Sequence, residues 1–194
     1  LSPRYADIVF NSGLTDGSAL RVVELCRRKV VRRQSLTHWW FGTRLKMLSP
    51  GTIEQLILVQ IEDPSDRHWA NAIQMCSVYV NDSDTPRTID LNVLFELLTH
   101  EGMVDDRYSN SVGFYWSRLA EHYLSSPLAR KWPFFEEVIS KGVKHWNTLV
   151  DLDRQKENVL SGLIESSPAT AWGIIGAMLP ELVDERHAFG LVHW

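Results

Sequence analysis

Apolar residues recur every three or four positions along most of this 194-residue chain, and residues that start helices precede many of the apolar stretches. The dipeptide Ser-Pro occurs at Ser2, Ser49, Ser126 and Ser167. Serine can accept a hydrogen bond from a first-turn N–H, and the following proline has φ preset and no N–H to satisfy. Alternating apolar runs joined by tight hairpin turns are absent from the sequence. The pattern therefore predicts an all-α fold.

The apolar spacing and the cap signals together predict about ten helices. The predicted helices cover residues 3–10, 19–30, 36–47, 50–62, 66–81, 91–100, 110–124, 133–149, a segment that starts at 151 or 153 and ends at 165, 168–179, and about 181 to the end. Ser18, Ser35 and Asp90 are the expected N-caps of three of them. In the helix 19–30, the expected buried face carries Leu20, Val23, Cys26 and Val30.

The spacing of the Ser-Pro dipeptides bears on how these helices are arranged. Successive dipeptides lie 47, 77 and 41 residues apart, close to one or two periods of a HEAT or armadillo repeat, although independent use of a common helix-start signal would also produce them. Short polar turns between helices favour antiparallel pairs stacked as a HEAT/TPR-like solenoid over a closed four-helix bundle. We expect a single repeat domain over residues 1–194, and its apolar ends suggest a fragment of a longer chain.

Composition narrows the class of protein further. Hydrophobic residues make up 44% of the chain, enough for a core, and no apolar run approaches the roughly 20 residues needed to span a bilayer. No secretory signal pattern is present, so the expected compartment is the cytoplasm. Cys26 and Cys76 lie in apolar helical contexts without CxxC spacing, which predicts two buried thiols.

Positive charge is concentrated near the N-terminus. Residues 1–48 carry nine Lys and Arg against three Asp and Glu, whereas the whole chain has a net charge of −4. The cluster consists of Arg27, Arg28, Lys29, Arg32, Arg33, Arg44 and Lys46. Cations favour the C-terminal end of a helix, so a solvated helix end explains part of the excess. The same cluster is the electrostatic footprint expected of a nucleic-acid-binding surface.

The chain contains eight tryptophans, which is unusual for its length. Each buries a large area, so one tryptophan per helix pair can supply much of the packing in a thin two-layer array. The alternative is a partner-binding surface at Trp39, Trp40 and Phe41, because adjacent helical residues point about 100° apart and cannot all enter one core. Close to the basic cluster, such a surface could also stack nucleic-acid bases.

Catalytic and metal-binding motifs are absent from the sequence. It contains no HExxH, GxSxG, P-loop or GxGxxG motif, which leaves no catalytic residue, metal ligand or cofactor to assign and favours a non-enzymatic protein. The alternative is a small enzyme with dispersed residues, which a cleft that holds two or more of Glu121, His122, Glu136 and His145 would support.

Two stretches, residues 40–50 with the sequence WFGTRLKMLSP and residues 167–180 with the sequence SPATAWGIIGAMLP, resemble helical-repeat regions of large bacterial antiviral-defence proteins. In those proteins a nucleotide-binding or effector domain, often a STAND-type NTPase, is followed by an α-helical sensor array. The resemblance implies a recognition or scaffold role, with a protein partner or other domains of the parent chain as binding partners. The alternative is a nucleic-acid-binding helical module that uses the basic cluster, and no membrane partner is expected.

Overall fold

The structure is a computed structural model that describes residues 4–37, 39, 43–62, 68–81, 87–100 and 110–125, together with the short stretches 164–165, 168–169 and 172–173. Within these ranges all regular secondary structure is helical, which confirms the all-α prediction. The described α-helices are α1 (Tyr5–Gly13), α2 (Asp16–Arg27), α3 (Pro50–Ile61), α4 (Trp69–Asn81), α5 (Leu91–Thr99) and α6 (Asn110–Ser125). Two 3-10 helices, Arg33–Leu36 and Thr43–Met47, lie between α2 and α3.

Helices α3, α5 and α6 agree with the sequence prediction to within a residue at each end. Asp90 caps α5 as expected, and its carboxylate accepts a 2.8 Å hydrogen bond from the Asn92 N–H. Pro50 is the first residue of α3, but the Ser49 side chain does not cap this helix. Its hydroxyl donates instead to Asp16 Oδ1 at the start of α2. The Ser-Pro signal thus marks the correct position, although the serine contacts another helix.

Helix α2 begins three residues before its predicted start. Thr15, not Ser18, is the N-cap, and the two residues form a capping box. The Ser18 N–H donates to Thr15 Oγ1 at 3.2 Å, and the Thr15 N–H donates to Ser18 Oγ at 2.9 Å. The helix also ends early, at Arg27, so Val30 lies beyond it and is 38% exposed. The predicted buried face was therefore wrong at Val30, and also at Leu20, which is 42% exposed.

The predicted helix 36–47 is wrong. Leu36 ends the first 3-10 helix and Thr43–Met47 form the second, so the described part of this segment is not one α-helix. The physical reason lies in residues 39–43, where two tryptophans, a phenylalanine, a glycine and a threonine follow one another and disfavour the α-helix. Leu36 and Trp39 are nevertheless fully buried, whereas Met47 is 76% exposed.

Helices α2 and α3 are packed side by side and run parallel. At their N-terminal ends, Asp16 Oδ1 accepts hydrogen bonds from the Ser49 N–H at 2.9 Å and from the Ser49 hydroxyl at 3.1 Å. At their C-terminal ends, the Arg27 Nε donates to Glu62 Oε1 at 2.8 Å. The segment between α2 and α3 must therefore return along the length of the helices. In its described part, this return segment takes the place of the α-helix predicted over residues 36–47.

Helix α5 also runs parallel to α3. Near the start of α5, the Asp90 N–H donates to Glu54 Oε1 at 2.9 Å, and just after its end the His100 Nε2 lies 3.2 Å from the Ile61 carbonyl oxygen. Helix α4 lies between them in the chain and packs against α3. It runs in the opposite direction, because Trp69 at its start bonds to Leu97 in the last turn of α5 and Tyr79 near its end bonds to Leu48 just before α3. The helices α2, α3 and α5 consequently share one direction.

The segment that returns from α2 to α3 runs alongside α4 in the same direction. At one end the Asn71 amide donates to Thr37 Oγ1 at 3.2 Å, and at the other the Tyr79 hydroxyl donates to the Leu48 carbonyl at 3.4 Å. Helix α4 in turn packs extensively against α6. The return segment, α4 and α6 therefore follow one another on the opposite side of the core from α2, α3 and α5.

The largest fully buried side chains of the core include three tryptophans, Trp39, Trp69 and Trp116. Trp69 and Trp116 come from α4 and α6, and their indole N–H groups donate to the Leu97 and Leu98 carbonyls at the end of α5. Cys26 and Cys76 are buried free thiols, as predicted. None of the helices in the described ranges is long and apolar enough to cross a membrane.

The remaining predicted helices, from residue 127 onward, lie outside the described residues apart from three short helical stretches. Ile164 packs against the core, and Trp172 is 66% exposed.

Candidate functional site

The aromatic residues predicted to bind a partner begin with Trp39, which the structure places in the core. Its side chain is fully buried and its ring centroid lies 5.7 Å from that of Phe10 on α1. Trp39 therefore acts as a packing residue and offers no surface to a partner. Trp40 and Phe41 lie outside the described residues, and a partner-binding role for them stays a prediction.

Two of the predicted basic residues share one acidic partner. Glu62 immediately follows α3, and its carboxylate lies 2.7 Å from the Arg27 guanidinium and 3.8 Å from that of Arg33. Arg27 also donates to Gln55 Oε1 at 3.0 Å. The Arg33 side chain is 14% exposed and that of Glu62 is 35% exposed, so this ion pair is only partly shielded from water. These two arginines join the end of α2 and the return segment to α3.

Two other arginines are directed toward different parts of the protein. Arg28 lies 3.6 Å from Glu24 one turn earlier on α2. Arg44 donates to the Phe10 carbonyl and lies over the Phe10 ring, with its guanidinium carbon 5.4 Å from the centroid. Lys46 is half-buried in the second 3-10 helix. Four of the seven predicted basic residues, Arg27, Arg28, Arg33 and Arg44, thus contact carboxylate or carbonyl groups of the protein itself.

Lys29 occupies an unusual backbone position. It directly follows the C-cap of α2 and has φ 57°, the left-handed conformation in which glycine is the usual residue. The Lys29 N–H donates to the Cys26 carbonyl at 2.9 Å, and the Val30 N–H donates to the Leu25 carbonyl at 2.9 Å. These are the two hydrogen bonds of a Schellman motif. A side chain with a Cβ at this position costs about 1–2 kcal/mol relative to the right-handed helix.

Lys29, Arg32 and Arg33 meet at a half-open surface cavity of about 290 Å³. Its lining consists of Cys26, Lys29, Val31, Arg32, Arg33, Gln34 and His68. None of these described lining residues is acidic, although Glu62 pairs with Arg33 from behind. The cavity therefore combines three permanent positive charges with an amide and an imidazole. We call it the basic cavity.

Cys26, a buried member of the lining, adds no charge to the basic cavity. Burial raises the pKa of the Cys26 thiol to about 11, against an opposing effect of the nearby Arg33 guanidinium. The thiol is consequently protonated at neutral pH and adds no negative charge to the cavity.

The sequence predicted the cationic residues of this cavity but not its other members. Gln34 is adjacent to them in the chain, whereas His68 comes from just before α4 and no local pattern connects it to Lys29. His68 lies near Lys29 because the return segment brings the end of α2 close to the start of α4.

Of the dispersed acidic and histidine residues considered for a small enzyme, only His122 has a described side chain. His122 is half-buried on α6, where burial lowers the pKa of its imidazole. Glu136 and His145 lie outside the described residues, as does the side chain of Glu121. No group of three or more His, Cys, Asp or Glu residues within the described ranges could hold a metal ion.

Comparisons with protein-family models, with curated proteins and with solved structures found no match for this chain.

Proposed function

We propose that this chain is a non-enzymatic helical-repeat module that binds a protein partner and acts as a recognition or scaffold segment of a larger protein. The observation that carries this proposal is the shared direction of α2, α3 and α5 on one side of the core. In a solenoid of helix pairs, the first members of successive pairs stack in parallel, and so do the second members.

The repeat units follow from the chain directions. Their first members α2, α3 and α5 begin at Asp16, Pro50 and Leu91, which are 34 and 41 residues apart. The return segment supplies the second member of the first unit, in place of an α-helix, and α4 and α6 supply those of the next two. Periods of 34 to about 45 residues are typical of TPR and HEAT repeats.

The contacts between the described helices agree with stacked pairs. Helix α3 packs with α4 and α5 packs with α6 within the pairs, and α3 packs with α5 and α4 packs with α6 between them. Four helices alone would have the same neighbours in a closed bundle with crossover connections. The packing of α2 against α3 adds a fifth helix to the row of α2, α3 and α5, which supports the stack.

A recognition role is supported by the surface that such a stack presents. Solenoids offer extended surfaces to macromolecules, and exposed apolar side chains are common in protein interfaces. Ile8 on α1 and Met47 before α3 are 58% and 76% exposed. The resemblance of residues 40–50 and 167–180 to sensor arrays of antiviral-defence proteins supports the same role in a larger chain.

The alternative is a nucleic-acid-binding helical module. The exposed Lys29 and Arg32 favour it. Arg27, Arg28, Arg33 and Arg44, however, contact carboxylate or carbonyl groups of the protein itself. The remaining charge is small for a surface that must track a phosphate backbone, so we favour a protein partner.

Retention experiments with the whole chain test this proposal. The immobilised protein is incubated with a lysate of the source cell, DNA and RNA at low and high salt, and bound molecules are identified. We expect one protein to be retained at both salt concentrations, because apolar contacts resist screening. Met47→Arg should abolish this retention, whereas Thr88→Arg, which adds the same charge at another exposed site, should not.

Two outcomes would contradict the proposal. Retention that is equal for the two variants would show that the apolar surface around Met47 is not the binding surface. Retention of nucleic acid alone, with a steep loss at high salt, would support the alternative, because phosphate contacts release counterions.

A further inference from the structure

We propose that the basic cavity is a binding site for a small molecule that carries a phosphate monoester group. This proposal is independent of the protein partner proposed above. It rests on the position of the charges, on the size of the cavity and on the backbone conformation of Lys29.

The charges of the cavity match a doubly charged phosphate. Lys29, Arg32 and Arg33 contribute three positive charges, and Glu62, the acidic partner of Arg33, is shared with Arg27. The positive charge that remains suits a phosphate monoester, which carries about two negative charges above its second pKa of about 6. Guanidinium groups also present paired N–H donors that fit phosphate oxygens. The amide of Gln34 and the imidazole of His68 add further hydrogen-bonding groups around the same space.

The size of the cavity selects a small ligand. At about 290 Å³ it lies just below the range of 300–1,000 Å³ that is usual for drug-sized molecules. It has room for a phosphate with a small attached group. A nucleic-acid strand instead requires an open groove that follows several consecutive phosphates.

The conformation of Lys29 is the independent observation. A glycine would make the same Schellman motif without strain, yet the chain places a lysine there and directs it to the rim of the cavity. Strained residues cluster at functional sites, where the side chain offsets the cost. We attribute the choice of lysine at this position to its ammonium group, which binds the anion in the basic cavity.

Arg33 is fixed before any ligand binds. Its side chain is 14% exposed and its guanidinium lies 3.8 Å from Glu62 at the end of α3. A donor already held in position loses little conformational freedom on binding. Arg33 therefore forms the fixed side of the site, whereas the exposed Lys29 and Arg32 close over the ligand from the rim.

Isothermal titration calorimetry with inorganic phosphate, at constant ionic strength, tests the site. We expect saturable binding with one site per chain. Lys29→Gln and Arg32→Gln should each weaken it about tenfold or more, because each removes a charge-assisted hydrogen bond. Arg21→Gln is the matched control, since Arg21 is an exposed arginine on α2 that pairs with Glu24 and does not line the cavity. Circular dichroism of each variant verifies that the helices are intact.

The proposal fails if phosphate shows no saturable binding, or if all three variants weaken it equally, as a general effect of charge would do. It also fails if a single-stranded oligonucleotide without a terminal phosphate binds more tightly than phosphate and displaces it, because the cationic residues would then belong to a nucleic-acid surface.

Discussion

The indole Nε1 of Trp69 on α4 donates a 2.6 Å hydrogen bond to the carbonyl oxygen of Leu97, in the last turn of α5. The next carbonyl, that of Leu98, accepts a 3.1 Å hydrogen bond from Trp116 on α6. The last carbonyls of a helix have no partner within it, and a buried one requires a donor from elsewhere. Two tryptophans therefore fill the core and satisfy the end of α5 together, which explains part of the high tryptophan content.

Replacing Trp69 with phenylalanine should destabilise the protein more than the same change at Trp39. Both are fully buried, but the Trp39 Nε1 has no hydrogen-bond partner among the described residues. Only Trp69→Phe leaves a buried carbonyl unsatisfied, which costs about 1–3 kcal/mol beyond the lost volume. Urea denaturation of the two variants measures the difference. Equal losses would show that the Trp69 hydrogen bond contributes nothing to stability.

Glu62→Gln should lower stability by about 1 kcal/mol or less, because a half-exposed ion pair contributes little even when it joins two arginines. The loss should shrink as salt is added, since screening weakens the pair in the wild type. Glu24→Gln is the matched control, because the ion-pair partners of Glu24 among the described residues, Arg21 and Arg28, lie on α2 or at its C-cap. We expect Glu24→Gln to lower the stability less than Glu62→Gln does. A loss at Glu62 that is insensitive to salt would contradict an electrostatic role.

The accuracy of the sequence-based fold prediction depends on whether local or distant groups define each element. Helix α5 was predicted well because Asp90 caps it through the adjacent backbone and its apolar residues are continuous. The segment 36–47 was mispredicted because apolar spacing of three residues fits both a 3-10 and an α-helix. Its path is determined by contacts far along the chain, such as that between Thr37 and Asn71.

The candidate site could be predicted from the sequence only in part. The cluster of Lys29, Arg32 and Arg33 was visible in the charge distribution. Its acidic partner Glu62 and its neighbour His68 were not, because both come from beyond the return segment. The burial of Trp39 likewise depends on Phe10 of α1, which no local pattern connects to it.

Lys29→Gly should stabilise the protein, because glycine adopts the left-handed conformation without the cost of a Cβ. The free energy of unfolding should rise by about 0.5–1 kcal/mol, because the greater flexibility of glycine in the unfolded chain offsets part of the relieved strain. Lys29→Gln retains the Cβ and should produce no such gain. Urea denaturation of both variants separates the backbone effect from that of the lost charge. No gain for glycine over glutamine would mean that the left-handed position is unstrained.

Asp16 should make stability depend on pH in the acid range. Hydrogen bonds from Ser49, the backbone N–H above all, hold the pKa of its carboxyl below the ordinary value of 3.8. The charged form is therefore favoured by folding, so its contribution is complete above about pH 4 and is lost as the pH falls through the lowered folded-state pKa. Asp16→Asn should destabilise at pH 7, and its deficit relative to wild type should diminish toward pH 3. Denaturation across this pH range measures the difference in stability between the variant and the wild type. A difference that stays constant with pH would contradict a lowered pKa of Asp16 in the folded protein.

Thiol modification should distinguish the two cysteines by their surroundings. Burial raises the pKa of both thiols, that of Cys26 to about 11, so at pH 8 each should react with a disulfide reagent far more slowly than in the unfolded chain. Cys26 lines the basic cavity whereas Cys76 is fully enclosed between helices, so Cys26 should react first. Mass spectrometry of partly modified protein identifies the order, with Cys26→Ser as the control that removes the faster phase. If Cys76 reacted first or at the same rate, modification would proceed by opening of the whole core rather than through the cavity.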